Sequence, residues 1–132
     1  MANTSDYFRP QTKQTPEIDF RFSVHTLSLK GESFPENAVM FYGDVLDHVR
    51  DYLSPLDGTN VIVDVNLTYF NSTSTKLIFK LFSEFNQACD RGNFVTVNWH
   101  FDEDDDTLRD FGEEIALEYT GLVVNLSALT SP

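Results

Sequence analysis

The chain has 132 residues, of which 41% are hydrophobic and 23% are charged, a composition typical of a globular domain rather than a disordered segment. Nine basic against 21 acidic residues give a net charge of −12, a field that repels nucleic-acid phosphates and anionic membrane surfaces. Cys89 is the sole cysteine, which excludes an intramolecular disulfide and a multi-cysteine zinc site. The first residues lack the pattern of a secretory signal, and no stretch approaches the ~20 apolar residues of a membrane span. We therefore expect a cytoplasmic protein whose partners are neither nucleic acids nor membranes.

The beginning of the chain divides into an arm and the first strands of a domain. Residues 1–16 are polar, contain prolines, and are expected to form a flexible N-terminal arm. From Ile18, apolar and polar residues alternate, which predicts two short antiparallel strands that end at Gly31. The domain itself is expected to occupy residues 17–127.

Three apolar stripes with the helical period follow, separated by predicted strands over residues 61–67, 94–101 and 122–126. The stripes comprise Tyr42, Leu46, Val49 and Leu53; Leu77, Ile78, Leu81, Phe82, Phe85, Ala88 and Cys89; and Leu108, Phe111, Ile115 and Tyr119. The β-branched run over 61–67 favours an interior strand flanked by helices. The order β-β-α-β-α-β-α-β predicts a single α/β domain, with a mixed sheet of about five strands and three helices.

A polar turn over residues 69–75 is predicted before the second helix and is rich in hydroxyl groups. Residues 71–75 (NSTST) lie at a junction from strand to helix, where Ser, Thr and Asn are the preferred capping residues. The start of a helix also favours an anion or a phosphate group. One side chain would suffice for a cap, and phosphorylation of another would change the surface that a partner reads. Plain capping, an anion or small-molecule site and a phosphorylation site all remain open at this point.

An acidic run before the third helix partly follows the spacing of an EF-hand calcium loop. Its carboxylates fall at loop positions 1, 3, 5, 9 and 12: Asp102, Asp104, Asp106, Asp110 and Glu113. Loop position 6 requires glycine and holds Thr107, and the run continues directly into a predicted helix. We therefore expect these carboxylates to complement the helix dipole rather than to bind calcium.

The sequence contains no recognisable catalytic motif. The three histidines, His25, His48 and His100, fall on different elements without metal-ligand spacing. A Gly-x-Ser-x-Gly nucleophile elbow and a Gly-rich phosphate loop are both lacking. We therefore expect a protein that is not an enzyme and carries neither a metal nor a cofactor.

Three blocks of the sequence resemble SiaC-type bacterial regulatory phosphoproteins, which are similar in fold to the STAS-domain anti-sigma-factor antagonists. The blocks are residues 31–37 (GESFPEN), 69–74 (YFNSTS) and 95–102 (VTVNWHFD). They correspond to the family's turn into its first helix, its phosphorylation turn and the strand after its second helix, in that order and spacing. The resemblance implies that the domain over residues 17–127 is STAS-like.

The resemblance also implies a partner-switching role. In such systems a dedicated kinase phosphorylates the hydroxyl after the Asn of the turn, and a PP2C-type phosphatase removes the phosphate. The unphosphorylated protein binds and stimulates a diguanylate cyclase, which raises cyclic di-GMP and favours biofilm growth. The position after Asn71 is Ser72, and since the family pattern has Thr there, Thr73 is an alternative acceptor.

The same resemblance implies a partner-binding surface made of two segments. Its residues are Pro35, Glu36, Asn37, Asn71, Ser72, Thr73 and Ser74. The alternative functions are an anti-sigma-factor antagonist type of partner switch and a module that binds an anion or small molecule.

Overall fold

A six-stranded mixed sheet with three helices forms the molecule, and the computed structural model describes residues 5–130. The strands are β1 (Tyr7–Arg9), β2 (Glu17–Arg21), β3 (Thr26–Ser33), β4 (Asn60–Phe70), β5 (Phe94–Asp102) and β6 (Val123–Leu129). The helices are α1 (Ala38–Leu53), α2 (Ser72–Asp90) and α3 (Asp106–Glu118). The predicted α/β class, the three helices and the order of elements from β2 onward are confirmed.

The strands lie in the sheet in the order of the sequence. β1, β2 and β3 pair antiparallel, whereas β3, β4, β5 and β6 pair parallel through the three helical crossovers. Because such crossovers are right-handed and all run in one direction along the sheet, the helices lie on the same face. On β4, Val63 is 1% exposed beneath the helices while Ile62 on the opposite face is 42% exposed. Within residues 5–130, the helices therefore flank β4 on one face only, and the other face of the sheet is open.

β1 is the strand that the sequence does not predict, and it lies within the stretch predicted as an arm. Three residues are too short to show an alternating pattern, but their side chains hold them against α1. The Tyr7 hydroxyl donates to Asp44 Oδ2 at 2.6 Å, and the Arg9 guanidinium lies 4.5 Å from the centre of the Phe41 ring. The predicted arm also includes residues 1–4, which lie outside the described residues.

The connection between β2 and β3 also differs from the predicted short hairpin. A 3-10 turn over Phe22–Val24 is followed by His25 in the left-handed region, at φ 55°. Because of this turn, the alternation of inward and outward side chains is not continuous from β2 to β3. Val24, which the pattern places among the inward residues, is therefore 62% exposed.

The core lies between the helices and the covered face of the sheet. Trp99 on β5 is completely buried, and its Nε1 donates to the Leu108 carbonyl oxygen of α3 at 2.9 Å. The Phe111 ring lies 5.5 Å from Trp99 and 4.7 Å from Phe70, so aromatic contacts join α3 to β5 and β4. Burial of each such ring contributes roughly 1.5–3 kcal/mol. Within residues 5–130, none of the helices is long and apolar enough to cross a membrane.

Candidate functional site: the edge that carries Ser72

The two segments predicted to bind partners lie side by side at the carboxyl-terminal ends of the parallel strands. β3 and β4 are parallel and end together, because Ser33 pairs with Phe70 and the Asn71 N–H donates to the Ser33 carbonyl at 3.0 Å. α1 and α2 begin just beyond these ends. The rings of Phe34 and Tyr69 meet edge to face, 5.9 Å apart. We call residues 34–37 and 69–74 the Ser72 edge. Such carboxyl-terminal edges of parallel strands are where α/β proteins commonly bind ligands.

A single residue, Asn71, connects β4 to α2. The sequence predicts a longer turn from residue 69 to 75, but β4 continues to Phe70 and α2 begins at Ser72. The Asn71 side-chain oxygen accepts the Ser74 N–H at 2.9 Å, and the Thr75 hydroxyl donates to the Asn71 carbonyl at 3.0 Å. Asn71 is therefore the helix cap, and capping does not account for the hydroxyl groups that follow it.

The hydroxyl groups of the first turn of α2 differ in their surroundings. Ser74 is completely buried and accepts a hydrogen bond from the Ser33 hydroxyl at 2.9 Å. Ser72 and Thr73 are exposed, and no hydrogen bond joins either hydroxyl to another residue in the range 5–130. An enzyme can therefore reach Ser72 and Thr73 without unfolding the helix, whereas Ser74 is inaccessible.

A buried tyrosine completes the support beneath this turn. The Tyr42 hydroxyl of α1 is hydrogen bonded to the Ser33 hydroxyl, which in turn donates to Ser74. Burial raises the pKa of Tyr42 to about 12, against the opposing effect of the hydrogen bonds from Ser33 and Ser74. The phenol therefore stays neutral at physiological pH and can act as a donor. The chain of hydroxyls ties together the start of α2, the end of β3 and the first part of α1.

The start of α2 at Ser72 favours a negative group. The first turn of α2 contains no acidic residue, so the positive end of the helix dipole is not neutralised there. Lys76, one turn further along the helix, is exposed. A phosphate on Ser72 would gain roughly 0.3–1 kcal/mol from the helix terminus, so modification is compatible with the folded helix.

The second segment of the edge is built in a similar way. The Asn37 side-chain oxygen accepts the Met40 N–H at 3.0 Å and caps α1. Glu36 and Asn37 are exposed, and Pro35 is half-buried. Of the residues named from the sequence, Ser74 is thus the one that lies inside the molecule.

Exposed apolar side chains on and beside the Ser72 edge were missed by the sequence analysis. Val39 and Met40, in the first turn of α1, are 67% and 72% exposed, and Tyr69 is 51% exposed. The available signal was that Val39 and Met40 are apolar but lie off the stripe that contains Tyr42. Exposed apolar groups next to capped helix ends are features of a surface that binds a protein.

An acidic cleft of about 770 Å³ adjoins the edge, between the end of β4 and the start of α3. Asp105 lies in this cleft and caps α3, because its carboxylate accepts the Leu108 N–H at 3.1 Å. Three of the carboxylates at EF-hand spacing lie on α3 and form ion pairs with Arg109: Asp106 at 3.4 Å, Asp110 at 3.3 Å and Glu113 at 4.0 Å. Asp105 and Asp106 thus place negative charge at the start of α3, as expected for a helix dipole, whereas Asp110 and Glu113 pair with Arg109 further along the helix.

A small α/β domain with exposed hydroxyls on a capped helix, beside an apolar surface, has the features of a regulatory phosphoprotein. The chain belongs to the SiaC family: the family described as "SiaC family regulatory phosphoprotein" matches residues 9–129. An uncharacterized protein of Pseudomonas aeruginosa strain UCBPP-PA14 is 32% identical over 111 residues, which cover 83% of this chain and 86% of that protein.

Solved structures of SiaC share the fold. A chain in the crystal structure of the diguanylate cyclase SiaD in complex with its activator SiaC, from Pseudomonas aeruginosa, is 26% identical and superimposes with a TM-score of 0.84. The match covers 94% of this chain and 100% of that chain. Apo-SiaC from the same organism is 27% identical with a TM-score of 0.83, over 94% of this chain and 99% of that one.

Proposed function

We propose that the chain is a non-enzymatic adaptor that, when unphosphorylated, binds and stimulates a diguanylate cyclase. A cognate kinase phosphorylates Ser72, with Thr73 as the alternative acceptor, and a PP2C-type phosphatase reverses the modification. The observation that carries this proposal is that Asn71 performs the capping while Ser72 remains exposed and without a hydrogen bond to any residue in 5–130. The similarity to SiaC, an activator of a diguanylate cyclase, supports the identity of the partner.

The switch acts through the chemistry of the surface. Unmodified, the Ser72 edge presents neutral hydroxyls beside the exposed side chains of Met40 and Tyr69, which a partner can bury at little electrostatic cost. A phosphate adds about −1.5 to −2 charges at this place. A partner that buried the edge would then have to desolvate the phosphate, unless it supplied a compensating cation. Phosphorylation therefore releases the cyclase without a change of fold.

The acceptor is identified by phosphopeptide mapping of the protein from its native host, with Ser72→Ala and Thr73→Ala as a matched pair of variants. Both side chains are exposed, so both variants should fold equally well. We expect phosphate to be lost in Ser72→Ala, retained in Thr73→Ala, and absent in a host that lacks the kinase. If phosphate persisted in Ser72→Ala and were lost in Thr73→Ala, Thr73 would be the acceptor. If the wild-type protein carried no phosphate under any growth condition, the proposed switch would be refuted.

The effect on the partner is measured with two forms of the full chain, one unmodified and one carrying phosphoserine at position 72. We expect the unmodified form to increase cyclic di-GMP synthesis by the host's cyclase, and the phosphorylated form to bind the cyclase at least about tenfold more weakly. Phosphoserine placed at position 87 on the exposed part of α2, in exchange for Gln87, controls for added charge. Equal stimulation by both forms would show that the edge does not control the cyclase.

A further inference from the structure

The outer edge of β6 is an open strand edge. β6 is the last strand of the sheet, and within residues 5–130 its sole strand neighbour is β5. It is seven residues long, and six of its side chains are classed as exposed. The opposite edge strand, β1, is three residues long and is held against α1. The two edges therefore differ in their capacity to pair with another strand.

The backbone groups of alternate β6 residues are directed away from the sheet. The Leu129 carbonyl accepts the Glu103 N–H at 3.1 Å, so Leu129 faces the β5 side. Backbone N–H and C=O groups point to alternate sides along a strand, and Val123, Asn125 and Ser127 therefore also face β5. It follows that the N–H and C=O groups of Val124, Leu126 and Ala128 point outward.

The polarity of β6 is symmetric about its central residue, Leu126. On either side of Leu126 the strand has a polar residue followed by two apolar residues: Asn125, Val124 and Val123 on one side, and Ser127, Ala128 and Leu129 on the other. In an antiparallel pair centred on position 126, position 125 faces 127, position 124 faces 128 and position 123 faces 129. Polar groups then face polar groups, and apolar groups face apolar groups, in every pair.

The strand also lacks the devices that prevent association at a sheet edge. Exposed edges in natural proteins carry lysines, prolines or bulges, and residues 123–129 contain no charged residue and no proline. This is unusual in a chain with a net charge of −12. The seam between two such strands would bring no like charges into direct contact.

We propose that β6 is a self-association surface, at which two copies of the chain pair antiparallel about a two-fold axis through Leu126. The outward groups of Val124, Leu126 and Ala128 form the hydrogen bonds of the new strand pair. The two sheets become one continuous sheet, with the interface isologous as two-fold symmetry requires. This assembly does not depend on the proposed phosphorylation of Ser72.

Sedimentation velocity of the full chain, over a range of concentrations, measures the association directly. We expect a reversible monomer–dimer equilibrium that strengthens as sodium chloride is raised, because salt screens the repulsion between two chains of net charge −12. A wild-type chain that remains monomeric at about millimolar concentration in high salt would overturn the proposal.

Charged substitutions at positions 125 and 127 test the register of the proposed pair of β6 strands. The variants Asn125→Asp/Ser127→Asp and Asn125→Lys/Ser127→Lys each place like charges opposite one another, and both positions are exposed. We expect each variant alone to associate at least about tenfold more weakly than the wild type. A mixture of the two variants should recover association as a heterodimer, because opposite charges then face each other.

Asn60→Asp/Gln87→Asp, at two exposed positions away from β6, is the control for added negative charge and should dimerise like the wild type. Circular dichroism confirms that each variant is folded. Wild-type association in both double variants, or loss of association that the mixture does not restore, would contradict pairing in this register.

Discussion

At the scale of single residues, hydroxyl groups that look equivalent in the sequence have different roles because they lie on different sides of α2. Ser74 points into the molecule and is bonded to Ser33, whereas Ser72 and Thr73 point outward. An amphipathic helix fixes this distinction once its inward face is known. The position of Ile78, one turn after Ser74 on the same buried face, was the signal in the sequence that would have separated Ser74 from its neighbours.

Two glycines provide a test of close packing at the same scale. In Gly112→Ala, the new Cβ would lie 2.6 Å from Trp99 Cδ1 and 2.7 Å from Leu126 Cδ2. We expect this variant to lower the free energy of unfolding by about 1–3 kcal/mol, because the completely buried indole of Trp99 cannot easily move aside.

The matched variant is Gly43→Ala in α1, where a Cβ meets nothing within 4 Å. It should raise the free energy of unfolding by about 0.4–1 kcal/mol, since alanine favours the helix and restricts the unfolded chain. Urea denaturation measures both. If Gly112→Ala were as stable as Gly43→Ala, the tight contact of α3 with Trp99 would not exist in solution.

At the scale of elements, α1 and α2 begin in the same manner. Each follows a parallel strand that ends at the same edge, and each is capped by an asparagine whose side chain accepts an N–H three residues later. The Asn71 cap directly precedes the proposed phosphorylation site, whereas the Asn37 cap belongs to the adjoining segment. The two caps can therefore be compared for their separate effects on stability and on modification.

Asn71→Ala and Asn37→Ala should each lower the free energy of unfolding by about 1 kcal/mol, the usual cost of losing a cap. Only Asn71→Ala should also slow phosphorylation, because loss of its hydrogen bond to the Ser74 N–H lets the first turn of α2 fray. Urea denaturation and the rate of phosphate incorporation by the purified kinase are the two measurements. Equal slowing in both variants would mean that the kinase responds to general stability rather than to the order of this turn.

At the scale of the whole molecule, the buried phenol of Tyr42 and the half-buried phenol of Tyr7 make the fold sensitive to alkaline pH. Burial is the largest cause that raises the pKa of Tyr42 to about 12, and burial followed by the hydrogen bond to Asp44 raises the pKa of Tyr7 to about 12. In the unfolded chain these groups ionise near their ordinary pKa of 10.0. Above that pH the folded state binds more protons than the unfolded state, so stability is full below about pH 10 and falls as pH approaches 12.

For Tyr42, which is completely buried, this loss amounts to roughly 2–3 kcal/mol by about pH 12. Urea denaturation at successive pH values should show the free energy of unfolding decrease across this range. Tyr42→Phe, although less stable at neutral pH, should show a smaller decrease. An identical pH dependence in wild type and Tyr42→Phe would show that this phenol ionises freely in the folded protein.

Local patterns were sufficient to predict most of the architecture. The alternation over β4 and the helical stripe of α2 reflect burial on one face, and such burial leaves a direct periodic signal. β1 left no such signal because three residues are too few, and its position depends on contacts of Tyr7 and Arg9 with α1. The β-branched run of β4 suggested helices around it, but whether they cover one face or both is decided by strand order, which periodicity does not record.

The site was predictable in its parts but not in its arrangement. The turn and its hydroxyls can be recognised in the sequence, as can the segment over residues 35–37. Their proximity follows from the pairing of Ser33 with Phe70, a long-range contact between strands. The exposure of Met40 and Tyr69 likewise depends on what lies around them, so it could not be inferred from their own sequence positions.

The parallel direction of β3 to β6 has a practical consequence for attaching anything to this protein. All four strands end on the side of the sheet that carries Ser72, so Thr130, the residue after β6, lies on that side. Asp6, by contrast, is hydrogen bonded to Ser23 near the beginning of β3, at the opposite ends of these strands. An affinity tag or fluorescent fusion at the N-terminal side therefore leaves the proposed docking surface unobstructed, whereas one at the C-terminal side would crowd it.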